Sequence, residues 1–363
     1  MPQSAVDCIQ PAIQHTRQQL FTRFRWGQWS RLALVGALAA ELHVGGCNFG
    51  NFGQWMGSKK HGNEFLAPPF PQIDHARIAQ FAGLILMAVF FAIILFVVFL
   101  YINSVFRFIL FDSVVRRECS IGDGWQRWHR AGGRFFLWQL VFQISIGLFF
   151  ALIIGVPLAL AMASGKMRDP ARFPAGMIGE LILLVGVVLI CAVAAAIVQV
   201  LAKDFLVPIM ALENLDFADG WSRLLGMMRV EPGKYAVYLL MKIVLAIVAW
   251  ILFSILAVIP ALVIIIPCVV IVFAAKAAGV GLTVATITMA VTFGVMALLL
   301  LIYLISLVSV PATVFFPAYA LYFLAARYPN LAAVLTPAPP APVPPPVPEV
   351  SPPPLPPSPD PIA

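Results

Sequence analysis

The chain has 363 residues, 61% of them hydrophobic and only 11% charged, with a net charge of +7. A soluble domain is nearer half apolar and a quarter charged, so this much apolar side chain has no soluble core to enter. A water-soluble enzyme, a secreted disulfide scaffold and a disordered chain are excluded as whole-chain readings. The positive charge flanks apolar runs, which is how membrane proteins are oriented rather than how nucleic acid is bound.

Residues 9–25 place Ile9, Ile13, Leu20, Phe21 and Phe24 at helical spacing among His15, Arg17, Arg23 and Arg25. The expectation is a basic amphipathic helix lying on a membrane surface, within a cytoplasmic N-terminal segment 1–30. No apolar core of a cleavable signal peptide precedes it, so insertion is expected to use internal helices. Leu32–Leu42 is apolar apart from Glu41, but a dozen residues span only about 18 Å of a roughly 30 Å hydrocarbon layer. It reads either as a short crossing or as a re-entrant piece. Glu41, His43 and Cys47 form a loose polar group in the Gly/Asn-rich loop that follows, at no metal-ligand spacing.

Five long apolar runs come next: Ile78–Tyr101, Phe135–Ala163, Pro174–Leu201, Tyr235–Val258 (with an extension through Ala275) and Gly281–Val308. Each exceeds the roughly 20 residues that a crossing needs. If Leu32–Leu42 also crosses, 15 Lys and Arg fall on the side of the termini and seven on the other, with Lys242 inside a span. If it does not, the two sides are equal. The positive-inside tendency therefore predicts six crossings in a cell (inner or plasma) membrane, with both termini cytoplasmic. Residues 337–361 hold 15 prolines in 25 positions. Such a stretch forms neither helix nor sheet, and a Pro-rich cytoplasmic tail over 327–363 is expected. It serves either as a spacer or as a ligand for a partner's aromatic groove.

A tripeptide recurs at a spacing of 96 residues: Trp29-Ser30-Arg31, Trp125-Gln126-Arg127 and Trp221-Ser222-Arg223. The later two are preceded by Asp123-Gly124 and Asp219-Gly220, and both lead into a long span through a basic-aromatic step. Equal spacing at matching positions predicts three parallel repeats, about 29–124, 125–220 and 221–326, filling a membrane domain at 31–326. Each unit is expected to be a hairpin closed by an interfacial helix: Val105–Val115, Phe205–Asn214 and Pro311–Phe323. The predicted fold is all-α and integral to the membrane, six transmembrane helices in three pseudo-repeated hairpins. Trp favours the headgroup layer and Arg can meet lipid phosphate there. The motif residues Trp29, Arg31, Asp123, Trp125, Arg127, Asp219, Trp221 and Arg223 thus read as hairpin anchors, or as a ring contacting lipid or a partner.

The segment Gln10-Pro-Ala-Ile-Gln-His-Thr-Arg-Gln-Gln-Leu-Phe21, then Trp26-Gly-Gln-Trp29-Ser-Arg-Leu-Ala-Leu34, the Gly/Asn-rich loop and Asp123-Gly-Trp125 resemble a family of uncharacterised bacterial membrane proteins. That family is similar, more distantly, to the membrane domain found beside glycerophosphodiester phosphodiesterases. The resemblance covers about residues 9–326 and implies a polytopic helical domain without catalytic residues.

Polar side chains within spans are the usual functional suspects. Gln139 and Gln143 share a helix face one turn apart, and Gln199 and Lys242 lie toward the cytoplasmic side. Together they could line an inward-facing polar cavity; the competing reading is interhelical hydrogen bonding with a snorkelling lysine. No nucleophile, phosphate loop or zinc motif is seen, so neither a cofactor nor enzymatic activity is expected. The expected role is a non-enzymatic membrane scaffold or accessory protein, with membrane lipids and a partner of the tail as contacts and no nucleic acid. The alternative is a transporter of a small molecule or lipid.

Overall fold

The computed structural model describes residues 4–22, 24–39, 75–163, 175–279, 281 and 283–335. The Glu41–Cys47 group and the Pro-rich stretch from 337 onward lie outside these residues. All regular structure described is helical: α1 Ile9–Leu20, α2 Trp26–Leu38, α3 His75–Arg116, α4 Ile121–Ala163, α5 Ala175–Leu201, a π-helical turn Ala202–Leu206, α6 Val207–Glu213, α7 Phe217–Val230, α8 Pro232–Ala277, α9 Val284–Ala325 and α10 Pro329–Leu335.

Among the described residues, five helices are long and apolar enough to cross a membrane: Ala82–Arg116, Ile121–Pro157, Gly179–Glu213, Pro232–Ala277 and Val284–Ala325. α2 ends at Leu38 with Ala39 as its C-cap, and the proposed short crossing beyond Ala39 lies outside the described residues. At 1.5 Å per residue, the 42 residues of α3 reach about 60 Å, twice the hydrocarbon thickness. Such a helix is longer than one crossing needs, and its burial is uneven along its length. Along α3, α5 and α9 the side chains change from exposed to buried at Leu100, Leu201 and Ser306. Beyond those points lies a single core, a helical head built from the ends of the spans together with α1, α2, α6, α7 and α10.

The head follows from the sequence in simple steps. Phe205, Tyr235, Tyr238, Tyr319 and Phe323 meet from three helices, with ring centroids 4.6 Å apart for Tyr238–Phe323 and 4.9 Å for Phe205–Tyr238. All five are at most 1% exposed, and burying such rings contributes roughly 1.5–3 kcal/mol each. Helices approach closely where side chains vanish: a Cβ on Gly132 would lie 2.8 Å from the Val105 Cα, and one on Gly36 2.4 Å from the Thr313 Cγ2. α3 and α6 both end through a non-glycine residue in the left-handed region, Arg117 at φ 59° and Asn214 at φ 50°. The freed carbonyls at the end of α3 are taken up by side chains. Gln19 Nε2 donates to Ser113 O and Gln28 Nε2 to Arg117 O, at 2.9 and 2.8 Å. His15 Nε2 lies 2.9 Å from Val114 O.

The interfacial segments differ from expectation in one respect. Val105–Val115 and Pro311–Phe323 are not separate helices; each continues the preceding span without a break. No Gly or Pro lies between Tyr101 and Arg116 to stop α3. Pro311 and Pro317 are absorbed inside α9, because packed neighbours support the helix around them. Only the middle segment is set off, by the π-helical turn.

Candidate functional site: the interfacial head

The three Trp residues of the repeated tripeptide are all half-buried against the head. Trp29 Nε1 donates to Leu307 O at 2.9 Å and its ring is flanked by Phe21 and Phe24. Trp125 packs on Tyr101 and Phe106, each with centroids 6.0 Å away. Trp221 stacks with Phe217 and Trp138. The glycine before each of the later two sits against an inner helix. Gly124 faces Ile109, and Gly220 faces Leu206 and Met210.

The paired arginines reach similar places. Arg127 Nη1 bonds Asp112 Oδ2 at 3.1 Å, and Asp112 also holds Arg116 at 2.8 Å. Arg223 bonds Glu213 at 3.0 Å and lies over the Tyr328 ring, whose hydroxyl donates to the same Glu213. Arg31 instead meets the Cys119 carbonyl at 3.5 Å. Asp123 and Asp219 are exposed in the first turns of α4 and α7. Asp123 accepts from the Ser120 hydroxyl at 2.5 Å, while the Asp219 carbonyl accepts from Ser222 at 2.8 Å.

The four polar residues expected in a cavity are distributed differently. Gln139 is buried, and the Ser104 hydroxyl lies between its Oε1 and the Leu100 carbonyl, at 3.0 and 2.9 Å. Gln143 and Gln199 are half-buried. Lys242 bonds Asp204, which also accepts from the Tyr238 hydroxyl at 2.8 Å. Both charged side chains are largely covered, 19% exposed for Lys242 and 10% for Asp204. Asp204 is the residue that sequence reasoning missed. It lies on the π-helical turn, a form that is rare and often marks function. The clue was present in Tyr238 and Lys242, one turn apart and facing one acid.

A small cavity of about 30 Å³, room for one or two waters, lies where α3, the π-turn and α9 converge. Arg107, Lys203, Asp204 and Phe316 are among the residues around it. A wider groove of about 780 Å³ runs along the outside of α4. Neither is lined by Gln139, Gln143, Gln199 or Lys242. Among the described residues, no three His, Cys, Asp or Glu lie together as a metal site.

Among the titratable groups of the head, His15 and Glu231 are displaced from their ordinary range. Burial pushes the His15 imidazole down, opposed by its bond to the Val114 carbonyl and reinforced by Arg117. The Lys234 ammonium, with Arg327, holds Glu231 below the usual carboxylate range. This joins the starts of α8 and α10, since Glu231 pairs with Lys234 at 2.6 Å and Arg327 at 3.0 Å.

A family model described as a family of unknown function (DUF7544) matches residues 3–334. The chain belongs to that family. The match takes in α1, the whole head and all five candidate spans, so the DUF7544 unit and the helical architecture coincide. No curated protein and no solved structure matches the chain.

Proposed function

We propose that the protein is a non-enzymatic membrane scaffold or accessory protein. Its helical head forms a platform at the cytoplasmic face of the cell membrane, and its spans offer apolar surface to lipid or to partner helices. One observation supports this above others. No more than 11% of the most apolar window of any candidate span is buried within the chain, and three windows are not buried at all. A transporter would instead wrap its spans around a central path. The full reading is six crossings in three parallel hairpins, with both termini cytoplasmic and the Pro-rich tail free to dock a partner. The recurring contacts of Gly124 and Gly220, and of Arg127 and Arg223 with an acid near the end of an inner helix, support the repeat.

A second reading, transport, is favoured by the Asp204–Lys242 pair, because covered charges in membrane helices commonly mark ion or substrate paths. One experiment separates the two. Val207, beside Asp204 in the small cavity, is replaced by Cys in a chain whose native cysteines are removed. The protein is sealed in vesicles and treated with a membrane-impermeant thiol reagent. A scaffold leaves this position labelled from the head side or not at all. Labelling from both sides would mean alternating access and would sink the scaffold reading.

A further inference from the structure

The outer face of α4 carries two surfaces in one line. Arg127, Arg130 and Arg134 follow at helical spacing, and Leu137, Val141, Ile144 and Leu148 continue the same face toward the membrane. Those four apolar side chains are 60–63% exposed. The polar end of this line opens on the groove of about 780 Å³, closed on its other side by Ala211 and Asn214 of the α6 end. That volume lies in the range of small-molecule sites. The groove is thus cationic at the level of the head and joins a lipid-facing strip one turn lower.

The charges are arranged unequally. Arg127 is held by Asp112, and Arg134 by Asp216 at 2.9 Å and by Asn214. These bonds fix both guanidinium groups while leaving part of their five N–H donors outward. Arg130 is exposed and forms no ion pair among the described residues. Trp128 lines the groove, stacked on Phe108 with centroids 5.9 Å apart, and its indole N–H meets no acceptor among the described residues. Pre-fixed guanidiniums beside an unpaired one suit a tetrahedral anion, and guanidinium recognises phosphate through paired hydrogen bonds.

We propose that this groove binds the phosphodiester headgroup of an anionic phospholipid. Arg130 meets the phosphate, Arg127 and Arg134 flank it, and the acyl chains lie along Leu137–Leu148. The site gives chemical content to the lipid contact in the scaffold reading, on which it rests, but it is tested without a partner or a flux measurement.

The test uses the full chain in nonionic detergent, titrated with phosphatidylglycerol or with phosphatidylcholine of the same acyl chains and followed by native mass spectrometry. Phosphatidylglycerol binds more tightly, and Arg130→Gln weakens it about tenfold, as loss of one charge-assisted bond should. Arg229→Gln, an exposed arginine of α7 away from the groove, leaves the affinity unchanged. Millimolar inorganic phosphate does not displace the lipid. Equal binding of the two lipids would overturn the proposal. So would an Arg130→Gln protein that folds and retains wild-type affinity, or an equal loss in Arg229→Gln, which would mean general charge attraction. Displacement by inorganic phosphate would make the groove a free-anion site instead.

Discussion

The Asp204–Lys242 pair is where single side chains matter most. Two opposite charges under partial cover, with a tyrosine hydroxyl on the same carboxylate, are each tolerable only in the other's presence. Removing one partner of a buried pair commonly costs about 3–5 kcal/mol, while replacing both can be neutral. Lys242→Met and Asp204→Asn should therefore each destabilise the protein strongly, and the double variant should recover most of the loss. Thermal unfolding of the purified protein in detergent measures all three. A double variant no more stable than the worse single one would mean that the two charges act separately. The pair also shows what hydropathy hides. Lys203 and Asp204 break the apolar run after Leu201, which reads as the start of a cytoplasmic loop. In the folded chain the helix continues through a π-helical turn, because the acid finds its partners on α8. Pairing across 38 residues leaves no trace in a local window. The Trp-x-Arg positions, by contrast, stand out in the sequence because their recurrence is visible within one chain, and all three Trp rings are half-buried in the fold.

At the level of elements, the spans were readable and their ends were not. Long apolar runs can only be membrane or core helices, so all five candidate spans stand where hydropathy places them. Where each helix stops depends on what it packs against beyond the bilayer. Val105–Val115 therefore read as a separate piece when it is the buried half of α3. The seam between α3 and α4 shows how closely that half is held. Gly132 leaves no space for a methyl group, since a Cβ would lie 2.7 Å from the Val105 Cγ2 and 2.8 Å from its Cα, and the backbone atom cannot swing aside as a side-chain tip could. Alanine is the better helix former by about 1 kcal/mol, yet overpacking typically costs about 1–3 kcal/mol. Gly132→Ala should come out destabilising. Gly133→Ala, where a Cβ would meet nothing within 4 Å, should be neutral or slightly stabilising. Melting temperatures of the two variants decide the matter, and equal shifts would show that α3 and α4 do not meet this closely in the membrane.

For the whole molecule, the uneven distribution of contacts has a direct energetic consequence. Association of helices inside a bilayer gains nothing from the hydrophobic effect, because lipid tails are as apolar as leucine. The head lies beyond the buried-to-exposed switch of three long helices, and there aromatic packing does exclude water. Folding free energy should thus be concentrated at one end of the protein, with the spans held in place by the bilayer and by their continuity with the head. Phe205 and Leu189 lie on the same span, Phe205 fully buried in the head and Leu189 62% exposed within the membrane segment. Phe205→Ala should cost about 3–5 kcal/mol, the usual price of emptying an aromatic site. Leu189→Ala should cost less than about 1 kcal/mol, since lipid fills the space that the side chain leaves. Chemical denaturation of both variants in mixed micelles, followed by tryptophan fluorescence, gives the comparison. If Leu189→Ala proves as damaging as Phe205→Ala, the spans are packed against helices after all. They would then face partner subunits or one another rather than lipid, and the protein's stability would belong to an assembly instead of to the head.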